Sequence, residues 1–490
     1  MNRQEARESQ LSVKFVDIVL VALLLVGFIC LLNYYGYALL PFWGDETTFL
    51  QPAENLAKGQ GMGTPSLDNL LPSIAERTYW QPPVYFLVLA AWGKLFGFEV
   101  MSSRWLSRFF GVGVLLLLWV LARRWGIPRW LALACVAWSA LDLTFQYNSN
   151  LGRMDTLNAL LLLGSLLSFT AYQRNGRLWQ IALAGTLGAL ATLTHFIAIP
   201  PVLVLMLVLL WQGQQRASLW FILPLFVGWT MWLLYAAQDW QSWWGQLALQ
   251  FARKGSGGIE VFLLRIPFFQ SFLPLYGVFP TNGLPFWFAL AVLSVWAWWR
   301  KHSPLTGWQT AFFTATYFAA TLGGELWYVG WFTPFGYLLL TVWLCFVHKL
   351  APKRARLVAF CLLWMCWQAF NVGQAVSCVS DLKRSTDKFF AEVQALLPEG
   401  AFVLLKGIPD PFPYLQRNRP DLHLLYLSPT PMADEALRQV VNRAQFFVGL
   451  TGWGHEINSY LAEPIKEWRF QTPHGVWFVK IHPLRKTNSP

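Results

Sequence analysis

Two short acidic motifs have the residue types and the placement that chemistry at a membrane surface requires. Asp45 and Glu46 follow the first long apolar run, and Asp155 begins a later run, two residues after Arg153. A carboxylate can act as a general base toward a hydroxyl or amine, and a second carboxylate can orient that group or hold a divalent metal ion. Either acid could instead cap the following helix, and Arg153 could simply pair with Asp155. The chemical interpretation is favoured because both motifs are predicted on one membrane face, and Asp45 and Asp155 are then the candidate ligands of any metal.

The composition of the chain is typical of a helical membrane protein. Its 490 residues are 56% hydrophobic and only 13% charged, whereas soluble domains are about 45–50% apolar and about 25% charged. The apolar residues come in long runs rather than in alternation, which argues against a transmembrane β-barrel. The net charge of +12 lies mostly in short loops between the runs, where basic residues set topology, so we expect no nucleic-acid partner.

The apolar runs predict about eleven membrane-spanning helices, since one span needs about 20 apolar residues. The first run is preceded by Arg7 and Lys14 and is interpreted as an uncleaved signal anchor with a cytoplasmic N-terminus. Basic clusters then fall in alternate loops, which places those loops inside and the C-terminus outside. The runs lie near 16–40, 104–122, 129–146, 156–172, 178–196, 198–212, 218–237, 282–299, 308–323, 331–348 and 356–377.

The chain divides into two predicted parts, a transmembrane module over 1–379 and an extracytoplasmic α/β domain over 380–490. In the module, 41–103 forms an outer loop with juxtamembrane helices, and 238–281 forms a long outer loop with interfacial helices. One juxtamembrane helix covers 82–98, which is shorter than the length that a membrane-spanning helix needs. The second part is predicted to contain helices over 381–397 and 433–443 and strands over 401–406, 422–427, 446–450 and 476–481.

Two further features are candidates for binding. Arg253 and Lys254 precede a glycine-rich stretch in the long outer loop, and such a pair could clamp a phosphate or could be plain solvated surface. His195 lies near the outer end of the fifth run, where a lone histidine is more often a packing or helix-end residue than a catalytic one.

The ordered motifs resemble a known family. Gly44-Asp45-Glu46 is followed by A-E-N-L-A-K-G over 53–59, Q-P-P-V-Y-F over 81–86, R-W-L-S-R over 104–108 and G-R-M-D over 152–155. This set is similar to the GT-C fold membrane glycosyltransferases that use polyprenyl-phosphate donors, in the branch of protein O-mannosyltransferases and lipid A aminoarabinose transferases. The resemblance implies a bacterial inner-membrane enzyme that transfers a sugar from undecaprenyl phosphate or a similar carrier on the extracytoplasmic face, usually with inversion.

The same resemblance implies roles for individual residues. Asp45 matches the first-loop acid that acts as the base, with Glu46 beside it, and Asp155 matches the second-loop acid. Arg253 or Lys254 lies where relatives contact the donor phosphate, and Tyr328 could fill the role of a tyrosine that contacts it too. The chain departs from aminoarabinose transferases at Gln81, where relatives carry a basic residue.

The resemblance leaves the acceptor open among lipid, glycan and protein, and it implies no certain cofactor, although a divalent metal is compatible with it. A secondary transporter or lipid-linked-sugar flippase is the alternative, and a non-catalytic assembly subunit is a third. A transporter predicts charges near the middle of spans and two similar halves. The acids cluster at one face and no repeat is visible, so a glycosyltransferase is favoured.

Overall fold

The computed structural model describes residues 3–39, 44–68, 71–255, 284–323, 326–350, 354–377, 379–407, 409–427, 434–450, 455–472 and 475–485. The chain is mostly helical, with a small C-terminal sheet. The helices are α1 (Arg3–Leu39), α2 (Gly44–Ala57), α3 (Val84–Phe96), α4 (Val100–Arg124), α5 (Arg129–Leu141), α6 (Leu143–Ser149), α7 (Asp155–Asn175), α8 (Leu178–Thr192), α9 (Ile199–Trp211), α10 (Gln215–Ala236), α11 (Trp240–Gly255), α12 (Leu284–Trp299), α13 (Gly307–Gly323), α14 (Leu326–Leu350), α15 (Arg354–Ser377), α16 (Val379–Leu396), α17 (Phe412–Asn418) and α18 (Asp434–Arg443).

The helical part is embedded in a membrane, and helices cover each apolar run predicted from the sequence. Within the described ranges, four helices are long and apolar enough to cross a bilayer, and six shorter apolar helices accompany them. Large apolar side chains such as Met231 and Leu363 are exposed on the surface of the helices, at 68% and 71%. Hydrocarbon solvates such side chains without cost. The exact number of crossings stays a prediction.

One predicted run, 129–146, is broken in the structure. Helix α5 ends at Leu141, and α6 begins at Leu143. Asp142 lies between them and accepts hydrogen bonds from the backbone N–H groups of Thr144, at 2.9 Å, and Phe145, at 3.2 Å. The break is tolerated because the carboxylate satisfies donors at the new helix start, and Tyr337 of α14 donates to its other oxygen at 2.9 Å.

The first loop, which comprises the described residues between α1 and α4, packs as a compact unit. Helix α3 lies within the range of the helix predicted over 82–98, and it packs against α2 and α4. The ring of Phe49 on α2 contacts those of Trp80, Tyr85 and Phe86. Gln246 of α11 is hydrogen-bonded to the backbone of the first loop. Its side chain accepts the backbone N–H of Tyr79 at 2.7 Å and donates to two backbone carbonyls.

The C-terminal part is an α/β unit with a five-stranded sheet in the order β2-β1-β3-β5-β4. β1 is parallel to β2 and β3, whereas β5 is antiparallel to β3 and β4. The sequence analysis missed β4, an edge strand whose Trp468 and Phe470 alternate with polar residues and are buried. The strands are β1 (Phe402–Lys406), β2 (His423–Tyr426), β3 (Phe446–Leu450), β4 (Lys466–Thr472) and β5 (Gly475–Pro483).

The α/β unit docks on the first loop. Helix α17 contacts α2, and β2 contacts the short 3-10 turn at Pro65–Leu67. Leu67 packs against the apolar core of the unit. Arg417 of α17 forms an exposed ion pair with Glu99 at 3.0 Å. The unit therefore lies at the end of the helices where α2 begins.

Candidate active site

The first turn of α2 carries two neighbouring acids that point in different directions, because successive residues on a helix are about 100° apart. The side chain of Asp45 is 34% exposed, whereas that of Glu46 is fully buried. The structure therefore separates the two acids that the sequence analysis grouped as catalytic.

Glu46 is held in a bidentate ion pair with Arg104 of α4. Arg104 Nε donates to Oε1 at 2.8 Å, and Nη2 donates to Oε2 at 2.6 Å. The backbone N–H of Gly152 donates to Oε1 at 2.9 Å. A Cβ atom at Gly152 would come within 2.1 Å of the Ser103 hydroxyl, so the approach of this loop to α4 requires glycine. Glu46 thus joins α2, α4 and the segment before α7, and the geometry favours a positioning role for it over a direct catalytic one.

Arg153 joins the other two predicted acids. Its Nε donates to Asp155 Oδ2 at 3.0 Å, and its Nη1 donates to Asp45 Oδ2. The guanidinium is buried and lies 5.3 Å from the centre of the Phe49 ring. One cation therefore serves two carboxylates, so this cluster, which we call the acid–arginine cluster (Asp45, Arg153 and Asp155), carries more negative than positive groups.

Tyr328 and His195 lie at the same end of the helices as the acid–arginine cluster. The Tyr328 hydroxyl is 3.3 Å from His195 Nε2, and Tyr328 interacts electrostatically with Arg153. His195 Nδ1 accepts the backbone N–H of Ile197 at 3.1 Å, so a neutral His195 carries its proton on Nε2, facing Tyr328. Trp331, three residues after Tyr328 on α14, donates its indole N–H to Asn158 at 2.7 Å. His195 is thus a helix-end residue that contacts a site residue.

Two buried arginines next to these acids were given no role by the sequence analysis. Arg104 pairs with Glu46, and Arg108 donates to Asn150 Oδ1 at 2.7 Å. The two arginines are four residues apart on α4 and therefore share one helix face. The sequence could have identified this pair, since ionisable residues within a predicted membrane helix are costly and usually functional.

The other predicted binding residues are the basic pair at the end of α11. Arg253 and Lys254 belong to the last turn of α11, and their side chains lie outside the described residues, as do residues 256–281 of the outer loop predicted over 238–281. Within the described ranges, no group of three or more His, Cys, Asp or Glu residues could hold a metal ion. Arg153 stands between Asp45 and Asp155 where a bridging cation would bind, so this arrangement does not fit a metal site.

The chain has the GT-C fold, since its structure is similar to solved structures of GT-C fold glycosyltransferases. The chain is similar to ArnT from Cupriavidus metallidurans bound to undecaprenyl phosphate, with 14% identity over 94% of this chain and 97% of that chain and a TM-score of 0.54.

The chain is also similar to the oligosaccharyltransferase of Archaeoglobus fulgidus, solved with Zn and sulfate, with 12% identity over 88% of this chain and 68% of that chain and a TM-score of 0.54. A second structure from that organism, AglB with an inhibitory peptide and a dolichol-phosphate, shares 12% identity over 89% of this chain and 69% of that chain, with a TM-score of 0.51. No protein-family model and no curated protein sequence matches the chain.

Proposed function

We propose that the chain is a membrane glycosyltransferase that moves a sugar from a polyprenyl-phosphate-linked donor to an acceptor, with inversion. The observation that carries this proposal is Asp45: a partly exposed carboxylate held by a buried arginine, which Asp155 holds in turn. Support comes from the shared fold, since relatives of that fold were solved with undecaprenyl phosphate and with a dolichol-phosphate.

In the proposed reaction, Asp45 removes the proton from the acceptor hydroxyl or amine. The acceptor atom forms a bond to the anomeric carbon as the bond from that carbon to the phosphate oxygen breaks. The electron pair of the broken bond leaves on the polyprenyl phosphate, and the proton stays on Asp45. Attack opposite the leaving group inverts the anomeric carbon. Arg153 fixes the base, and Asp155 fixes Arg153.

The leaving phosphate gains charge and needs donors to stabilise it. Arg253, Lys254 and the Tyr328 hydroxyl are the proposed contacts. A charge-assisted hydrogen bond contributes about 1.5–3 kcal/mol, which corresponds to roughly a ten- to hundredfold effect. Replacing Arg253 and Lys254 together by Ala should therefore raise the donor KM or lower kcat by that factor, and unchanged donor kinetics would remove the pair from the site.

The finer parts of the proposal concern the donor class and the orientation. The transferred group is a hexose or pentose, and the enzyme lies in the bacterial inner membrane with its N-terminus in the cytoplasm. The α/β unit then lies outside, together with the acid–arginine cluster. A reporter that is active only outside the cytoplasm, fused after Pro490, should be active.

The test is a transfer assay with purified protein. A panel of undecaprenyl-phosphate hexoses and pentoses is supplied with lipid, glycan and peptide acceptors, with and without a chelator. One donor should give a glycosylated acceptor and free undecaprenyl phosphate. Asp45→Asn keeps the shape of the side chain but cannot take the proton, so turnover should fall by about 10²- to 10⁴-fold.

The matched control is Glu54→Gln, which neutralises another acid of the same helix. Glu54 forms an exposed ion pair with Lys58 at 2.7 Å and lies outside the acid–arginine cluster. Equal turnover in the Asp45→Asn and Glu54→Gln variants would overturn the assignment of the base.

A further inference from the structure

A groove in the membrane-embedded part lies away from the candidate active site. It runs between α1, α5 and α15 and has a volume of about 570 Å³. Its lining side chains are aliphatic, aromatic or sulfur-containing, and they include Leu24 of α1, Leu133 of α5 and Met365 of α15. Such a lining offers almost no hydrogen-bonding group, so the occupant that fits it is a hydrocarbon chain. We call this feature the α1–α5–α15 groove.

Two walls of the α1–α5–α15 groove expose large apolar side chains to it. Val358 and Leu362 of α15 line the groove and are exposed, and so are Leu20 and Leu23 of α1. These side chains leave a gap between α15 and α1 that the protein itself does not fill. A hydrocarbon chain lying in the groove would therefore contact both helices and complete their packing.

An ion pair lies at one end of the groove. Asp17 is three residues before Leu20, and Arg129 is four residues before Leu133, so both belong to the helix faces that line the groove. Arg129 Nε pairs with Asp17 Oδ1, and the side chain of Arg129 is still 30% exposed. A guanidinium carries five N–H donors. Arg129 can therefore hold Asp17 and also donate to a second anion at the end of the groove.

The helix ends around this ion pair are rich in basic residues. The rings of Trp130, which lines the groove, and His348 are 6.1 Å apart, so the last turn of α14 lies beside the first turn of α5. Basic pockets between membrane helices bind the anionic head groups of lipids. The basic residues at the adjoining ends of α4, α5, α14 and α15 are Arg123, Arg124, Arg129, Lys349, Arg354 and Arg356.

We propose that the α1–α5–α15 groove binds one anionic phospholipid, with an acyl chain along the apolar lining and the phosphate at Arg129. The surrounding positive charge selects an anionic head group over a zwitterionic one, which carries its own cation. The lipid fills the space between α15 and the helices opposite, and α15 leads directly into α16 and the α/β unit. This inference does not depend on the proposed glycosyl transfer.

The test compares two lipids that share their acyl chains and differ in head-group charge. The full chain is purified in an uncharged detergent, native mass spectrometry counts bound lipid, and the unfolding midpoint is measured with dioleoyl-phosphatidylglycerol or dioleoyl-phosphatidylcholine. One phosphatidylglycerol should bind per chain and, at about 100 times its Kd, raise the midpoint by roughly 2–3 °C. Phosphatidylcholine should bind more weakly. Equal binding of the two lipids overturns the proposal.

Ala134→Trp tests the place of binding, since Ala134 lines the groove and a larger side chain there fills it. The matched control is Ala182→Trp on α8, another half-buried alanine that is not part of the lining. Ala134→Trp should lose the bound phosphatidylglycerol and the rise in midpoint, whereas Ala182→Trp should keep both. A bound lipid that survives in a folded Ala134→Trp protein overturns the assignment to this groove.

The double variant Asp17→Asn/Arg129→Gln tests the head group and leaves neither partner of the ion pair as an unpaired charge. The Kd of phosphatidylglycerol should rise about tenfold, as the loss of a charge-assisted hydrogen bond predicts, while that of phosphatidylcholine should hardly change. The control is Glu54→Gln/Lys58→Gln, which removes the exposed ion pair on α2. An unchanged preference for phosphatidylglycerol in the Asp17→Asn/Arg129→Gln protein overturns the role of Arg129.

Two other occupants give distinct results in the same experiment. Displacement of phosphatidylglycerol by an equal amount of undecaprenyl phosphate would show that the groove holds a polyprenyl chain. A wild-type dimer that Ala134→Trp dissociates would show that a second copy of the chain covers the groove. Either result overturns the phospholipid site.

Discussion

Asp45 and Glu46 are neighbours in the sequence and in one helical turn, yet their surroundings differ in almost every respect. Glu46 is fully buried and faces Arg104, which meets both of its oxygens. Asp45 is partly exposed and shares its arginine with a second acid. Both oxygens of Glu46 are therefore engaged and out of reach of a substrate. Asp45 is the acid of this turn that an acceptor group could reach.

The largest effect should come from Glu46→Gln, which leaves Arg104 buried without its counter-charge. Loss of one partner of a buried ion pair costs about 3–5 kcal/mol of unfolding free energy. The thermal unfolding midpoint in detergent should fall sharply, while Asp45→Asn should leave it unchanged.

The double variant Glu46→Leu/Arg104→Met serves as the control for that result. Replacing both charges with apolar groups should recover much of the lost stability, because no unpaired charge remains. A Glu46→Gln protein that unfolds like the wild type would show that the two acids are less different than their burial indicates.

Asp155→Asn should have the next largest effect, this time on activity. The amide oxygen can still accept from Arg153, so the fold should hold, but the guanidinium then keeps Asp45 and loses its other carboxylate partner among the described residues. The loss of the acceptor's negative charge from this hydrogen bond predicts a fall in kcat of about ten- to a hundredfold. Full activity in steady-state kinetics would reduce Asp155 to a helix cap.

Asp410 extends the comparison to an acid that is buried with a phenol, and it predicts a pH effect. Burial raises the pKa of the Asp410 carboxyl from 3.8 to about 7, against the hydrogen bonds from Tyr426 and Phe412 and with a contribution from Glu46. The folded protein then binds one more proton than the unfolded chain between about pH 4 and pH 7. Stability therefore falls as pH rises through that window, by at most ~1.4 kcal/mol per pH unit.

Unfolding midpoints between pH 5 and pH 8, compared in the wild type and Asp410→Asn, isolate this contribution from the other titrating groups. The unfolding midpoint of the wild type, relative to that of Asp410→Asn, should be lower at pH 8 than at pH 5. A difference that is independent of pH would mean that Asp410 is ionised throughout.

The smallest effect belongs to the exposed pair of Arg417 and Glu99, whose side chains are 73% and 63% exposed. Ion pairs of this kind contribute about 0–1 kcal/mol. Arg417→Gln should therefore leave both the unfolding midpoint and kcat close to wild type. A large loss of stability would show that docking of the α/β unit depends on this contact rather than on Leu67 and the packing around it.

The sequence predicted the features that depend on local composition and on position along the chain. Long apolar runs predicted the membrane helices, and the placement of Asp45 and Asp155 beside helix ends predicted that they would lie on one membrane face. The structure brings them to one arginine, Arg153, which the sequence analysis named as a possible partner of Asp155.

What the sequence could not give depends on contacts between distant segments. The different directions of Asp45 and Glu46 follow from how α2 packs on α4, and nothing in the chain near Glu46 identifies Arg104, 58 residues away, as its partner. The break at Asp142 was hidden because apolar residues flank it on both sides.

Gln246 has a consequence for how the protein is made. Its one amide accepts from Tyr79 N and Trp80 N and donates to the carbonyls of Pro72 and Arg77, groups 166 to 174 residues earlier in the chain. At about 5–20 residues per second, the ribosome needs roughly ten to thirty seconds to reach α11 after it has made the first loop. During that interval these backbone groups must be paired with water, and ribosome-stalled chains that end before Gln246 should lose the loop to protease more readily than chains that extend past α11. The first loop of the candidate site is therefore completed late in synthesis, by a helix that is made only after most of the bundle has been inserted.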